Sequence, residues 1–170
     1  VTDMLPEDNY RLKMTAAFES WEAYQDKVKH GYHHQFTRNM LHLNNANGTF
    51  SEIGQMAGVA RTDWSWSALI ADFDLDGYKD IHVTNGIPRD LTSQDYLSFL
   101  SSTETMRSAV RGKRVDFLLL GEAMSSTPLP NYAFRNNGDL SFSNVSAAWG
   151  LNTPGFSNGA AYGDLDGDGA

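Results

Sequence analysis

The feature that most constrains this chain is that it repeats itself. The run Asp72-Phe73-Asp74-Leu75-Asp76-Gly77 returns as Asp164-Leu165-Asp166-Gly167-Asp168-Gly169, an offset of 92 residues (164 − 72 = 92). The offset holds without a gap from Asn39/Asn131 to Tyr78/Ala170. Asn44/Asn136, Asn45/Asn137, Phe50/Phe142, Ser51/Ser143, Gly58/Gly150, Ser65/Ser157 and Ala68/Ala160 are identical pairs, and Ile53/Val145, Val59/Leu151 and Trp64/Phe156 are conservative ones. Repeats of short β-hairpins build propellers or solenoids, because one unit cannot bury its own apolar face.

The repeated acidic run has metal-loop spacing. Asp72, Asp74, Asp76 and Asp80 fall at positions 1, 3, 5 and 9, with Gly77 at position 6. Carboxylates this dense repel one another unless a cation neutralises them. All-oxygen donors on a tight glycine turn suit Ca²⁺, which takes 6–8 oxygens, better than Mg²⁺, which prefers to keep its water. The position-7 carbonyl of Tyr78 would complete the shell. Asp164, Asp166 and Asp168 repeat positions 1, 3 and 5, and the sequence stops at Ala170, before a ninth position. An EF-hand would need a bidentate Glu at position 12 and a helix on each side. Position 12 is Val83, and the flanks Ser67–Ala71 and Ile81–Thr84, closed by Asn85-Gly86, read as strands. The loop is therefore expected in a β-hairpin.

The 170 residues carry a net charge of −8, and the two loops hold seven of the 21 acids. Two Ca²⁺ would cancel four charges (−8 + 4 = −4), so the acidity is local and metal-directed. No basic cluster points to nucleic acid or an anionic membrane. With no cysteine, disulfide frameworks and thiolate metal sites are excluded. Apolar runs such as Phe117–Leu120 are too short to span a bilayer. The chain begins at Val1 without a Met and is read as a segment of something longer, so a missing signal peptide carries no weight. Low-affinity Ca²⁺ modules are typical of extracellular settings.

Val1–Met4 reads as a strand end, followed by a turn at Leu5–Asn9. Ala17, Phe18, Trp21, Tyr24 and Val28 recur at helical spacing over Thr15–Lys29, which predicts an amphipathic helix with Phe18 and Trp21 as core anchors. His30, His33 and His34 invite a zinc reading. His33 and His34 are adjacent, however, and would point to opposite faces of a strand, so they read as surface groups. Phe36–Leu43 and Thr49–Ile53 are expected strands around an Asn44–Gly48 turn. Trp64 and Trp66 alternate with serines, share one face and are expected in the core. Thr92 or Ser93 can cap a helix carrying Tyr96, Leu97 and Leu100; further helical pieces are expected at Thr105–Arg111 and Val115–Met124, before a linker at Ser125–Pro130.

The run Asn-Asn-x-x-Gly-Thr-Phe, then Gly-Val, then Trp-Ser-Trp-Ser-Ala, then the D-x-D-x-D-G loop resembles the FG-GAP or VCBS repeats of integrin-α-like β-propellers. More narrowly it is similar to bacterial proteins that carry these repeats with a C-terminal ASPIC/UnbV domain. The resemblance covers Phe36–Gly86 and Asn131–Ala170. It implies a mainly β fold, a partial propeller of about two blades with helical inter-blade insertions. The expected parts are 1–34 (strand end plus helical insertion), 35–86 (blade with Ca²⁺ loop), 87–130 (helical insertion) and 131–170 (second blade). Carried over position by position, the Ca²⁺ ligands are Asp72, Asp74, Asp76, Asp80 and the Tyr78 carbonyl, then Asp164, Asp166, Asp168 and the Ala170 carbonyl. Leu140 stands where the family usually has Gly, which predicts a distorted turn there. Two blades are fewer than the three a continuous repeat core usually needs, so exposed sheet edges are expected.

The resemblance implies an extracellular, periplasmic or cell-surface scaffold that binds a protein or glycan ligand, is monomeric in its parent, and inserts into no membrane. The alternative is a Ca²⁺-dependent polysaccharide lyase or hydrolase, which needs an acid or base converging on an open coordination site. Lys79, His82 and Glu122 are the candidates; His82, between Ile81 and Val83, reads as an ordinary surface histidine. No nucleophile–His–acid arrangement and no phosphate loop is present, and the carboxylates of the strong motif are all used as ligands.

Overall fold

The computed structural model describes residues 1–15, 20–103, 105, 107, 110–111, 114–115, 117–164 and 167. Phe18, Asp166, Asp168 and Ala170 lie outside them. The chain forms two compact units: unit 1 is Val1–Glu7, Arg38–Pro88 and Thr127–Ala170, and unit 2 is Asp8–Thr37 and Arg89–Ser126.

Unit 1 is β. Its strands are β1 (Met4–Leu5), β2 (His42–Asn44), β3 (Phe50–Glu52), β4 (Asp63–Ala71), β5 (Asp80–Asn85), β8 (Tyr132–Asn136) and β9 (Phe142–Asn144). β4, β5, β8 and β9 pair antiparallel in that order, with β1 on the outer edge of β4, to make a 5-stranded sheet; β2 and β3 pair as a separate hairpin. This is the mainly β fold of a partial propeller. The Asp72 run sits in the β4–β5 connection, so it lies in a β-hairpin and not between helices. Ile81 and Val83 project from β5 into a core with Ala57, Val59 and Phe134, against which Leu41, Ile53, Tyr132 and Phe142 pack. The Tyr132 hydroxyl donates to Glu7 at 2.9 Å. Burial first, and this carboxylate second, push its pKa well up.

The sheet does not follow the sequence repeat. The hairpin β4–β5 of the first copy is continued by β8–β9 of the second, while β2–β3, the first copy's own outer hairpin, stands apart. What lies beside β2 explains the offset. Val1 and Met40 exchange bonds of 3.0 and 2.9 Å, and Asp3 N donates to Asn39 Oδ1 at 2.9 Å. One repeat on, Val83 pairs with Tyr132, and Asn85 N donates to Asn131 Oδ1 at 3.0 Å. Val1-Thr2-Asp3-Met4-Leu5-Pro6-Glu7-Asp8 is thus a second copy of Val83-Thr84-Asn85-Gly86-Ile87-Pro88-Arg89-Asp90, at an offset of 82 (83 − 1 = 82). The echo is short, and it lies out of phase with the 92-residue repeat because the second excursion is 10 residues longer (92 − 82 = 10). The described chain therefore holds one complete four-strand set, β4-β5-β8-β9, flanked by the outer strands of another.

Unit 2 is built from both excursions. Asp8 caps α1 (Asn9–Met14) by accepting from Arg11 N at 2.8 Å, and Ser20 caps α2 (Trp21–Lys29) by accepting from Ala23 N at 3.2 Å. Of the predicted Thr15–Lys29 helix, Trp21–Lys29 is helical, Thr15 closes α1 in an extended conformation, and residues 16–19 lie outside the described residues. The predicted Leu5–Asn9 turn gives way to a helix start. α3 (Gln94–Ser101) follows Ser93 at its N-cap, while the Thr92 hydroxyl bonds instead to Asp90 at 2.7 Å. Val110–Arg111 (β6) and Arg114–Val115 (β7) form a hairpin where a helix was predicted to continue to Arg111, and α4 spans Phe117–Glu122. Arg11 lies 3.6 Å from Asp90, and Thr15 bridges Ser93, so the two excursions meet within the unit.

Aromatic placement departs from expectation. Trp21 is 69% exposed, stacked on Tyr24 at 5.3 Å, and so anchors no core. Trp64 and Trp66 do share a face and stack at 6.2 Å, but Trp66 is 44% exposed, with its indole N–H donating to Gly86 O at 2.6 Å.

Candidate metal centre

The loop between β4 and β5 folds around its own carboxylates. Asp72 accepts from the N–H groups of Asp76 (3.1 Å) and Gly77 (2.9 Å), and Asp74 accepts from Asp76 at 3.3 Å. Such side-chain-to-backbone bonds are what Asp supplies in a turn with no ladder of its own. Leu75 and Gly77 take φ of 60 and 93, which bends the chain back on itself. Asp80, at the first position of β5, is fully buried and bonded through both oxygens, Oδ2 to Phe73 N at 3.0 Å and Oδ1 to Asn136 N at 2.9 Å.

The result is a converging group. One carboxylate oxygen from each of Asp72, Asp74 and Asp80 lies within 4.8 Å of the others, one residue half-buried, one exposed and one buried. Three hard anionic oxygens that close are the donor set of a Ca²⁺-type cation and lack the nitrogen or sulfur that Zn²⁺ or Cu²⁺ prefers. The residues present therefore fit a hard divalent ion, and this cluster could hold one. Asp76 is outside the group: its Oδ1 accepts from Tyr78 N at 2.8 Å. Of the second loop, Asp164 is described and accepts from Gly167 N at 2.6 Å; Asp166, Asp168 and Ala170 fall outside the described residues.

The neighbouring turn was not recognisable as part of this site. Asn136, at the end of β8, sends its Nδ2 to Lys79 O at 3.0 Å and receives Gly138 N at 2.9 Å. Its identity with Asn44 marks it as a repeat residue, but nothing in the repeat says which loop it touches. The turn itself is not distorted. Leu140 adopts φ 69, the left-handed conformation that Gly48 adopts at φ 84 in the first copy. In the same turn Asp139 accepts from the Ser141 hydroxyl and N–H, which holds its carboxyl below the usual range.

The other candidates do not assemble with it. His82 is partly buried rather than superficial; its Nδ1 has no partner among the described residues, and burial lowers its pKa. It lines a cavity of about 250 Å³ with Leu69, Phe73, Trp149 and Tyr162, among whose described lining residues there is no carboxylate. Lys79 is exposed, and Glu122 belongs to unit 2. His34 Nδ1 is bonded to Tyr24 OH at 2.5 Å, and His30 Nδ1 to Asp26 O at 2.8 Å; neither joins a metal-ligand group among the described residues.

An acidic hairpin loop at the end of a four-strand antiparallel set is the arrangement of a propeller-type scaffold, here with a carboxylate cluster that could hold a cation. Residues 32–83, which contain that loop and the hairpin before it, match the FG-GAP-like repeat family. The stretch is an FG-GAP-like repeat. Neither a curated relative nor a solved structure matches the chain. No helix among the described residues is long and apolar enough to cross a membrane.

Proposed function

We propose that this chain is part of a calcium-pinned β-propeller scaffold that presents an extracellular, periplasmic or cell-surface binding face to a protein or glycan ligand. The observation that carries the reading is the convergence of Asp72, Asp74 and Asp80 within an FG-GAP-like repeat. In it, Ca²⁺ sits among Asp72, Asp74 and Asp80 and draws in Asp76, which stands outside that group, and the Tyr78 carbonyl; in the second loop the ligands are Asp164, Asp166, Asp168 and the Ala170 carbonyl. The ion supplies positive charge that offsets the mutual repulsion of these groups. The chain does the rest: Asp80 ties the two ends of the loop together through Phe73 N, Asp72 holds its middle, and four backbone N–H groups point at the carboxylates. With its carboxylates committed to structure, the loop is a strut and not a catalytic centre.

Isothermal calorimetry tests this. Ca²⁺ should bind, with Mg²⁺ at equal concentration giving at most a small fraction of the heat, and Asp74→Ala should weaken binding at least tenfold, as loss of a ligand does. Equal binding by Asp74→Ala and the unaltered protein would sink the assignment. Turnover of an acidic polysaccharide would favour the enzyme reading instead.

A further inference from the structure

The loop is not a self-contained hairpin, because the next repeat reaches into it. Asn136 makes three bonds at once: its N–H to Asp80 Oδ1 (2.9 Å), its Nδ2 to Lys79 O (3.0 Å), and its Oδ1 from Gly138 N (2.9 Å). Asp80 is the one wholly buried member of the carboxylate cluster, so what touches its oxygens decides where they point. Two residues on, Gly138 lies under the Tyr78 ring: a Cβ at Gly138 would sit 3.1 Å from Tyr78 Cζ. Tyr78 is in turn tied to Asp76 through its N–H. The β8–β9 turn therefore holds both ends of the position 7–9 segment, at Tyr78 and at Lys79–Asp80.

We infer that Asn136 is a positioning residue for the cation loop, and that cation binding and the order of the β8–β9 turn are coupled through it. This rests on the metal reading above. Groups that orient ligands commonly matter nearly as much as the ligands themselves. The internal repeat supplies the control. Asn44 occupies the equivalent position (136 − 92 = 44) and caps its own turn through Ala46 N at 2.9 Å. No member of the described carboxylate cluster bonds to it.

The test is Ca²⁺ titration of Asn136→Ala beside Asn44→Ala, both in the full chain and both checked for folding by circular dichroism. The expected result is a Kd raised about tenfold by Asn136→Ala and changed less than twofold by Asn44→Ala. Equal Kd values in the two variants would overturn the coupling and leave the metal reading standing. Absence of Ca²⁺ binding in the unaltered protein would remove both.

Gly138→Ala gives an independent handle. Ala46 already adopts φ 59 at the equivalent position, so an alanine can take this backbone conformation. Any excess loss of Ca²⁺ affinity in Gly138→Ala then reports displacement of the Tyr78 ring. If Asn136→Ala fails to fold, amide exchange of the unaltered protein decides. Ca²⁺ should slow exchange at Gly138 and Ser141 as well as at Phe73, Asp76 and Gly77. Slowing confined to the latter three would overturn the coupling.

Discussion

Unit 1 contains 12 acids and 4 Lys or Arg residues (4 − 12 = −8), whereas unit 2 contains 9 of each (9 − 9 = 0). The whole net charge of the chain therefore sits on the β unit. Within that unit it concentrates in loops whose backbone N–H groups point at carboxylates. Unit 2 balances its charge by ordinary means, with helix caps at Asp8 and Ser20 and the Arg11–Asp90 contact at 3.6 Å. The contrast teaches that the acidity is not a general surface property such as solubility would require. It is local to one part of the fold, where densely placed carboxylates repel one another and where the proposed cation would offset that repulsion.

The sharpest way to break this comparison is to alter one buried aspartate in each unit. Asp80 is 0% exposed and holds two backbone N–H groups; Asp90 is 6% exposed and holds Thr92 through N–H and hydroxyl. Each substitution to Ala strands buried donors, at a cost of about 2–4 kcal/mol. The account expects the Asp80→Ala loss, measured by denaturant unfolding, to be larger in Ca²⁺ than in EDTA, because the unaltered protein gains from the ion and the variant does not. The Asp90→Ala loss should be the same in both buffers. A Ca²⁺-dependent loss at Asp90 would erase the distinction.

A smaller effect is expected at Leu140. A non-glycine residue at φ 69 costs roughly 1–2 kcal/mol, partly returned by the added freedom glycine brings to the unfolded chain. Leu140 is 45% exposed and gives up little burial, so Leu140→Gly should stabilise unit 1 by about 0.5–1 kcal/mol in chemical denaturation. Destabilisation would mean that the leucine side chain is needed in that turn.

The smallest effect is a pH dependence. Burial lowers the pKa of His82 in the folded state, so the unfolded chain takes up its proton first as pH falls. The corresponding stability is present above about pH 6.5 and is lost below it, as pH falls through the folded-state value. His82→Gln should flatten the stability profile below about pH 6.5; an unchanged slope there would assign it to other groups.

The parts of this molecule legible in its sequence are those with short-range signatures. The acidic spacing and the flanking β-branched residues placed the Asp72 loop in a hairpin, and the Asn-Asn-x-x-Gly run Asn44–Gly48, repeated as Asn136–Leu140, placed the turns. Pairing across repeats left no such mark. That β5 joins β8 depends on bringing Val83 beside Tyr132, and only the eight-residue echo at Val1–Asp8 hints at the same junction elsewhere. The role of Asn136 was hidden for the same reason. Its partners are Lys79 and Asp80, 57 and 56 residues away. In unit 2, helical spacing was a poor guide to burial: Trp21 and Tyr24 stack on each other at 5.3 Å, and Trp21 stays largely in solvent. A periodic apolar face says that something should cover it, not what.

The most direct test of the central claim is a thermal melt in EDTA and in millimolar Ca²⁺, with equal Mg²⁺ as control. Free Ca²⁺ at 100-fold above Kd adds about 2.7 kcal/mol. For a chain of this size that corresponds to a rise in Tm of roughly 5–10 °C. The account predicts a rise of that order with Ca²⁺ and little with Mg²⁺. An identical Tm in all three buffers would mean that the aspartates form a turn without a structural ion, and would contradict it.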